Sequence, residues 1–270
     1  MEHQSRYLSP EIKISSFGDR LFKSEILVDQ HMLVWFVSGQ TKIVQADTCY
    51  HFRSGDIFLV PRNQPATIIN YPTDNLPHQT VVMQLSTSRL RDFYQGINSR
   101  PAQGDPGRIR SYNSHPLLAS CFASLMPYFQ LTQPLPEAIA AIKITEAISI
   151  LRLIDEDIDS LLANFSLPAK TDLVDFMEKH FIFNMPMERF GYLTGRSLTS
   201  FKRDFRKAFD SSPRQWLTRK RLELAYHHIK EKKGKPVDVC YEVGFENLSH
   251  FSFAFKKHFG YAPTALLTGA

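Results

Sequence analysis

The pattern of hydrophobic and polar positions divides the chain into a β-rich first part and a helical last part. Between residues 10 and 88, short runs rich in Val, Ile, Thr and aromatic residues alternate with Gly, Pro, Asn or Asp. This pattern is typical of short strands joined by tight turns. It predicts a sandwich or a small jelly-roll barrel, which can enclose a ligand cavity. The predicted strands are 25–28, 32–37, 41–45, 48–52, 57–60, 66–69 and 81–85.

Two helices are predicted after the strands, within residues 115–154. The first spans 115–131, and the second spans 136–154 with apolar residues such as Ile142 and Ile150 at helical spacing. The apolar face of the second helix either packs on the strands or pairs with the same helix of a second subunit. The residues do not decide between these two interpretations. An acidic and then polar stretch predicts a linker at 156–170.

The last part of the chain contains a repeat with a period of fifty residues. In each copy a short amphipathic segment and a glycine turn precede a helix with Phe at every fourth position, which places the rings on one face. Two short helices joined by a turn predict a helix-turn-helix unit. The units are expected at 186–209 and 236–259, joined by a long helix at 213–230. The repeated residues are Phe201, Phe205 and Phe209, and Phe251, Phe255 and Phe259.

Positive charge is concentrated in the part of the chain that contains the repeat. Residues 170–270 hold 18 Lys and Arg against 11 Asp and Glu, whereas residues 1–169 hold 14 against 16. A basic domain joined to a nearly neutral one indicates a polyanion as the partner of the basic domain. A solvated basic surface explains the charge alone equally well.

The outer faces of the second helix in each unit supply the candidate DNA contacts. The fork of an arginine can bond guanine, a lysine reaches guanine or phosphate, and a threonine methyl can meet a thymine methyl. Basic residues further along each helix, and the helix start itself, suit phosphate. Taken singly, each residue is more often plain surface; their repetition on the second helix of both units favours DNA. We predict base reading by Thr199, Lys202, Arg203, Ser249 and Ser252, and phosphate binding by Ser197, Arg206, Lys207, Lys256 and Lys257.

Residues 171–268 resemble the DNA-binding domain of the AraC/XylS family of bacterial transcription regulators. The resemblance covers about a third of the chain, and it implies double-stranded DNA and RNA polymerase as partners and activation as the mode of regulation. It is carried by Val239-Cys240, Val243-Gly244-Phe245, Ser249-His250-Phe251, Phe255-Lys256-Lys257-His258-Phe259-Gly260 and Pro263, by Ser197 and Phe201-Lys202-Arg203-Asp204-Phe205, and by Arg221-Leu222-Glu223-Leu224-Ala225.

The resemblance also sets expectations for residues 1–155. In this family the first domain is commonly a cupin-like jelly roll with following helices, used for effector binding or dimerisation. We therefore expect a two-domain α+β protein: a cupin-like β domain with two helices, then an all-α domain of two helix-turn-helix units joined by a long helix. Control would come from a small effector or a partner protein, and a homodimer would form through helix 136–154 if the apolar face of that helix pairs with a second subunit and does not pack on the strands.

One position departs from the pattern of the family. We call the second helix of each unit a reading helix, because it is the one expected to contact bases. In this family the reading helix of the second unit often carries an arginine where this chain has Phe253. A phenylalanine cannot bond guanine; it could touch a thymine methyl or a sugar edge, or simply pack. We therefore expect the first unit to carry most of the base reading.

Other classes of function have weaker support in the sequence. The widely spaced Cys49, Cys121 and Cys240 indicate reduced thiols in a cytoplasmic protein, and no apolar run is long enough for a membrane span. His31 and His51 are isolated, no His-x-His pair exists, and no nucleotide-binding motif is visible, so we predict no metal, no cofactor and no enzyme activity. The alternative is a cupin-like small-molecule enzyme with an appended helical interaction domain. No effector-binding residues are assigned, because strand aromatics such as Trp35 and Phe36 are more often plain core.

Overall fold

The computed structural model describes residues 4–17, 22–45, 48–71, 77–97, 107–231 and 234–267. The chain forms two compact units, residues 1–165 and 166–270. The first is a β domain with helices and the second is all-α, which confirms the predicted two-domain α+β class. The outermost ends of the predicted domains, at 1–3 and 268, lie outside the described residues.

The strands of the first unit form two antiparallel sheets. The six-stranded sheet has the order β1-β2-β9-β4-β7-β10, and the four-stranded sheet has the order β3-β8-β5-β6. The strands are β1 (Gln4–Ser9), β2 (Ile12–Phe17), β3 (Phe22–Leu27), β4 (His31–Ser38), β5 (Gln40–Gln45), β6 (Thr48–Arg53), β7 (Ile57–Val60), β8 (Pro65–Tyr71), β9 (His78–Leu85) and β10 (Arg110–Asn113).

Both faces of the six-stranded sheet are buried at its centre. Successive strand residues point to opposite faces, so Leu33 of β4 lies in the core shared with the helices, while Val34 and Phe36 lie in the core between the sheets. This explains why β4 reads as a nearly continuous apolar run instead of an alternating one.

The helices of the first unit pack on the outer side of that sheet. They are α1 (Thr87–Phe93), α2 (Pro116–Ala123), α3 (Glu137–Ile154) and α4 (Ile158–Leu162). Helix α3 contributes Ile144, Ile148 and Leu151 to the core. The predicted 115–131 helix is interrupted, because a short 3-10 helix at Met126–Gln130 follows α2 and Pro127 in it lacks the N–H that an α-helix needs.

Several features of the first unit differ from the sequence-based expectation, among them strand β2 and helix α1, which are absent from the predicted elements. Strand β1 lies before the expected start of the β region, and β10 follows a stretch rich in Pro and Gly. Both strands are polar, and each is recognised by its antiparallel partner: β1 pairs with β2, and β10 pairs with β7. Helix α4 occupies part of the expected linker 156–170. Its Ile158, Leu161 and Leu162 are buried in the core of the first unit. This segment therefore belongs to the first unit and is not a linker between the two units.

The second unit is built around one long helix that serves two cores. Helix α8 (Pro213–Lys230) gives Trp216 and Leu217 to one core, and Leu222, Ala225 and Ile229 to the other. The first core also contains α5 (Leu173–His180), α6 (Met187–Leu193) and α7 (Leu198–Phe209). The second contains α9 (Pro236–Glu242) and α10 (Leu248–Phe259), and a 3-10 helix at Pro263–Leu266 follows.

The fifty-residue repeat is preserved in the structure. Helices α7 and α10 each have 12 residues and begin fifty positions apart. Each has a polar N-cap: the Ser197 side chain accepts from the Ser200 amide, and that of Asn247 from the His250 amide. Gly244, at φ +91° in the second turn, has no room for a Cβ, which would lie 2.2 Å from the Ile182 carbonyl oxygen.

Candidate nucleic-acid interface

Helix α7 separates an aromatic inner face from a cationic outer face. Phe201 and Phe205 are fully buried, and their rings lie 5.6 Å apart. Phe190 of α6 packs under Phe201 with nearly parallel rings. These aromatic contacts fix the rotation of α7, so the residues between them face solvent. The exposed residues include Thr199, Lys202, Arg203, Arg206 and Lys207.

The guanidinium of Arg203 is held by the neighbouring carboxylate. Its side chain is 63% exposed, yet Nε and Nη2 donate to Asp204 Oδ1 at 3.2 and 3.1 Å. Asp204 Oδ2 accepts from Nε of the largely buried Arg196, which also donates to the carbonyls of Thr171 and Thr194. The hydrogen bond from Arg203 is the main reason why the pKa of Asp204 lies below its ordinary value. A chain of charged groups thus limits the orientations open to Arg203.

A basic depression lies beside the C-terminal half of α7. Its volume is about 790 Å³, and five of the described residues that line it are Lys or Arg. Four of the five belong to α7, and Arg214 comes from the first turn of α8. Arg214 was not predicted as a DNA contact, because it belongs to the connecting helix α8 and not to α7 or α10. A concave surface with this charge suits the phosphate backbone of a duplex. The five cationic residues are Lys202, Arg203, Arg206, Lys207 and Arg214.

A second depression joins the two helix-turn-helix units. It has a volume of about 670 Å³ and is lined by Lys202 of α7 and by Asn247 and His250 at the start of α10. Thr218 of α8 also lines it. Helices α7 and α10 therefore both border a depression on the same side of α8. His250 was missed because the repeat aligns it with Ser200, which gives no hint of a contact.

Helix α10 has a mixed outer face. Ser249, Lys256 and Lys257 are exposed, and Ser252 is half-buried. Phe253 lies among them with 69% of its surface exposed. All the residues predicted to contact DNA therefore lie on α7, on α10 or at the cap of α7, where the Ser197 hydroxyl is already engaged with Ser200.

One buried arginine connects the two units. Arg221 of α8 is 9% exposed. Its Nε donates to the Phe181 carbonyl at 2.8 Å, Nη2 to the Phe183 carbonyl at 2.9 Å, and Nη1 to the Gly244 carbonyl at 2.8 Å. The first two carbonyls lie just before α6, and Gly244 lies in the turn of the second unit. Arg221 therefore fixes both units to the helix between them.

A separate cavity of about 310 Å³ lies between the two sheets of the first unit. Its lining is mostly apolar, and Phe36 is part of it. Trp35 points to the opposite face, where it packs near Phe122. His78 lines the cavity with 3% exposure, and neither ring nitrogen has a hydrogen bond of ordinary geometry to a described residue. Burial lowers the pKa of His78 to about 4, so the ring is neutral at pH 7.

The described residues contain no group of three or more His, Cys, Asp or Glu that could hold a metal ion. Within the same part of the chain, none of the helices combines the length and the apolar character needed to cross a bilayer.

Two family models match the chain. The model of the ExsA N-terminal regulatory domain matches residues 31–165, which is half of the chain. The model of a helix-turn-helix domain matches residues 193–269 and includes α7 to α10.

Curated relatives match nearly the whole chain. The HTH-type transcriptional regulator ExsA of Pseudomonas aeruginosa is 25% identical over 236 residues, covering 84% of this chain and 82% of ExsA. The virulence regulon transcriptional activator VirF of Yersinia enterocolitica is 24% identical over 242 residues, covering 87% and 88%. Among solved structures, ToxT of Vibrio cholerae aligns over 96% of this chain and 98% of its own, with 14% identity and a TM-score of 0.43. From the two family models, the chain belongs to the AraC/XylS family of DNA-binding transcription regulators, with an N-terminal domain of the ExsA regulatory type.

Proposed function

We propose that the protein activates transcription by inserting α7 and α10 into two adjacent major-groove segments of a specific duplex, under the control of its N-terminal unit. One observation carries this proposal: two capped helices of equal length, each with exposed basic side chains, line one depression on the same side of α8. A helix of this kind fits a major groove about 12 Å wide.

Base reading is assigned mainly to the first unit. The guanidinium of Arg203 suits guanine O6 and N7. Its hydrogen bonds to Asp204 restrict the orientation of the guanidinium. Lys202 and Thr199 are exposed on the same face, toward the start of α7. In the second unit, base contact is assigned to the exposed Ser249 and the half-buried Ser252.

Phosphate binding is assigned to the basic depression and to the end of α10. Arg206 and Lys207 line the depression, and Lys256 and Lys257 are the exposed cations of α10. Each phosphate neutralised by such a group makes affinity more dependent on salt. Ser197 is a weaker candidate, because its hydroxyl accepts from the Ser200 amide and donates to Ser200 Oγ, so it would have to give up the second hydrogen bond to donate to a phosphate.

Control through the N-terminal unit is assigned to two features. The cavity between the sheets offers an apolar site with the neutral imidazole of His78, whose ring nitrogens make no hydrogen bond of ordinary geometry to a described residue; this suits a small apolar effector with one polar group. Helix α3 exposes Ile142 by 64% and Leu153 by 72%, and we propose that this face pairs with the same helix in a second copy. A partner protein on the same face would be an alternative route of control.

The remaining assignments follow from the regulatory role. Activation implies contact with RNA polymerase, and binding to a bacterial genome implies a cytoplasmic protein. The role requires no reaction catalysed by this chain.

The test is a selection of duplexes from a random-sequence pool by the full-length protein, followed by binding measurements over a salt series. We expect one enriched motif, a steep salt dependence, and a loss of about tenfold or more on Arg203→Ala with that motif. Arg53→Ala removes an exposed arginine from the N-terminal unit and serves as the charge-matched control. Binding without any sequence preference, or equal effects of the two variants, would reject the proposal.

A further inference from the structure

The outer face of α10 contains one residue that the proposed contacts leave unexplained. Phe253 is 69% exposed and belongs to neither core of the second unit. The other phenylalanines of α10 form a continuous stack, with ring centroids of Phe251 and Phe255 at 5.6 Å and of Phe255 and Phe259 at 4.6 Å. Phe253 forms no aromatic pair within the part of the chain that the structure describes. Core packing therefore does not account for it.

The surroundings of Phe253 are polar and cationic. On a helix, the residues three and four positions away are its neighbours, and here they are His250, Ser249, Lys256 and Lys257, all of which are exposed. An apolar ring at the centre of a charged face is poorly suited to a hydrophobic protein contact. It is well placed in a surface that meets DNA, because the residues around it can bind phosphates and base edges.

The internal repeat identifies the counterpart of Phe253. Because α7 and α10 align over all 12 residues, Phe253 occupies the place of Arg203, whose side chain is also mostly exposed. The next residue changes as well: Asp204, which holds the Arg203 fork, corresponds to Ala254. The second unit has thus replaced both the charged reader and the carboxylate that orients it. A phenyl ring needs no such orienting group.

A phenyl ring offers no hydrogen bond, so it selects among bases by what it must cover. The apolar group on a base edge in the major groove is the C5-methyl of thymine. Against guanine, adenine or cytosine the ring would cover donors and acceptors that then lack a partner, which is unfavourable. From these observations we infer that Phe253 is a specificity-determining residue that reads a thymine methyl group in the segment bound by α10. This inference rests on the proposed insertion of α10 into a major groove.

The experiment uses the full-length protein and the duplex selected by it. Each thymine of the α10 segment is replaced singly by deoxyuridine, which removes the methyl and leaves base pairing unchanged. We expect one replacement to weaken binding by about fourfold, the fold-change that corresponds to losing one buried methyl group. Phe253→Ala should weaken binding to the thymine duplex and abolish the difference between thymine and uracil. Uracil replacements in the α7 segment are the matched control and should act equally on both proteins.

A second variant tests the inference by gain of specificity. Phe253→Arg restores the type of residue found at the matching place in α7, and selection with this variant should enrich guanine where the parent enriches thymine. Because Phe253 lies outside the cores, these variants should keep the melting temperature of the parent.

Several outcomes would overturn the inference. No thymine in the α10 segment, no effect of any uracil replacement, or equal losses on thymine and uracil duplexes with Phe253→Ala would each reject base reading by this ring. The last result would indicate contact with the sugar-phosphate backbone. If Arg203→Ala still abolishes binding in these cases, the proposed function stands and this inference alone fails. Failure to enrich any sequence would reject both.

Discussion

Arg221 offers the most direct test of how the two DNA-binding units are held together. Its guanidinium donates to the carbonyls of Phe181, Phe183 and Gly244 from a position that is 9% exposed. Substitution by methionine keeps a flexible apolar stem of similar length and removes every donor. The three carbonyls would then lose a charged hydrogen-bond partner at a buried site.

The size of the effect follows from these three contacts. Leaving a buried acceptor without its partner costs about 1–2 kcal/mol each, and the total is reduced because a buried charge no longer has to be desolvated. We expect Arg221→Met to lower the free energy of unfolding of the second unit by about 3 kcal/mol. For a unit of roughly 100 residues this corresponds to a fall in melting temperature of about 12–24 °C. Arg221→Lys should recover part of the loss, since an ammonium can reach fewer of the carbonyls.

The assay can isolate the second unit within the full chain. The protein has two tryptophans, Trp35 in the first unit and Trp216 in the second. In a Trp35→Phe background, fluorescence during urea unfolding reports on Trp216, which is 2% exposed in the core beside α7. Arg219→Met is the matched control on the same helix, because Arg219 is 50% exposed and its ion pair with Glu223 is surface-located.

The reasoning would be refuted if Arg221→Met unfolded within about 0.5 kcal/mol of Arg219→Met. Such a result would mean that apolar packing alone positions the two units. A loss of stability with unchanged affinity for the selected duplex would instead show that the hydrogen bonds of Arg221 stabilise the second unit without aligning the reading helices.

Three further predictions concern other parts of the molecule. Asp204→Asn should reduce discrimination between the selected and a scrambled duplex while leaving the salt dependence of binding unchanged; equal discrimination would contradict the orienting role. Because the pKa of Asp204 is lowered in the folded protein, its carboxylate should orient Arg203 fully at neutral pH. This effect on discrimination should be lost only as the pH falls below about 3.8. Burial, followed by the charge of Arg62, lowers the pKa of His31 to about 3, so this residue should lower the stability of the first unit by about 2 kcal/mol between pH 7 and pH 5, where the unfolded chain takes up the proton. His78, whose pKa burial lowers to about 4, should add a loss of similar size. His31→Gln should remove the part of that dependence due to His31 in urea titrations and leave the part due to His78; an unchanged dependence would contradict the assignment. Ile142→Glu should reduce self-association in sedimentation velocity, and Leu131→Glu, at an exposed residue outside α3, should not; equal effects would argue against pairing through α3.

The second unit could be predicted closely from the sequence because its signals are local. The bounds of α8 agree with the predicted 213–230, since Pro213 starts the helix and the apolar residues keep helical spacing up to Ile229. The Phe repeat indicated the rotation of both reading helices, so the exposed residues of α7 could be picked out in advance. The pairing of Arg203 with Asp204 could not be predicted, because side-chain orientation depends on Arg196, which reaches the same carboxylate from outside α7.

The first unit was predicted less completely because its signals are non-local. Strand β10 is a polar segment of four residues, and its conformation depends on pairing with β7 and on the bonds of Arg110 and Tyr112 to Asp155. Both faces of β4 are buried, so the strand lacks the alternation of apolar and polar residues that would distinguish its two faces. The sequence therefore could not show that Phe36 lines the cavity and that Trp35 does not.

The sequence by itself determined that this chain carries two helix-turn-helix units with basic outer faces, because a helix is encoded by residues three and four positions apart and by its own caps. Tertiary structure alone decided that both reading helices line one depression on the same side of α8, and that Arg221 joins the units through backbone carbonyls. Those properties arise from groups far apart in the chain that meet only after folding, so no local pattern contains them.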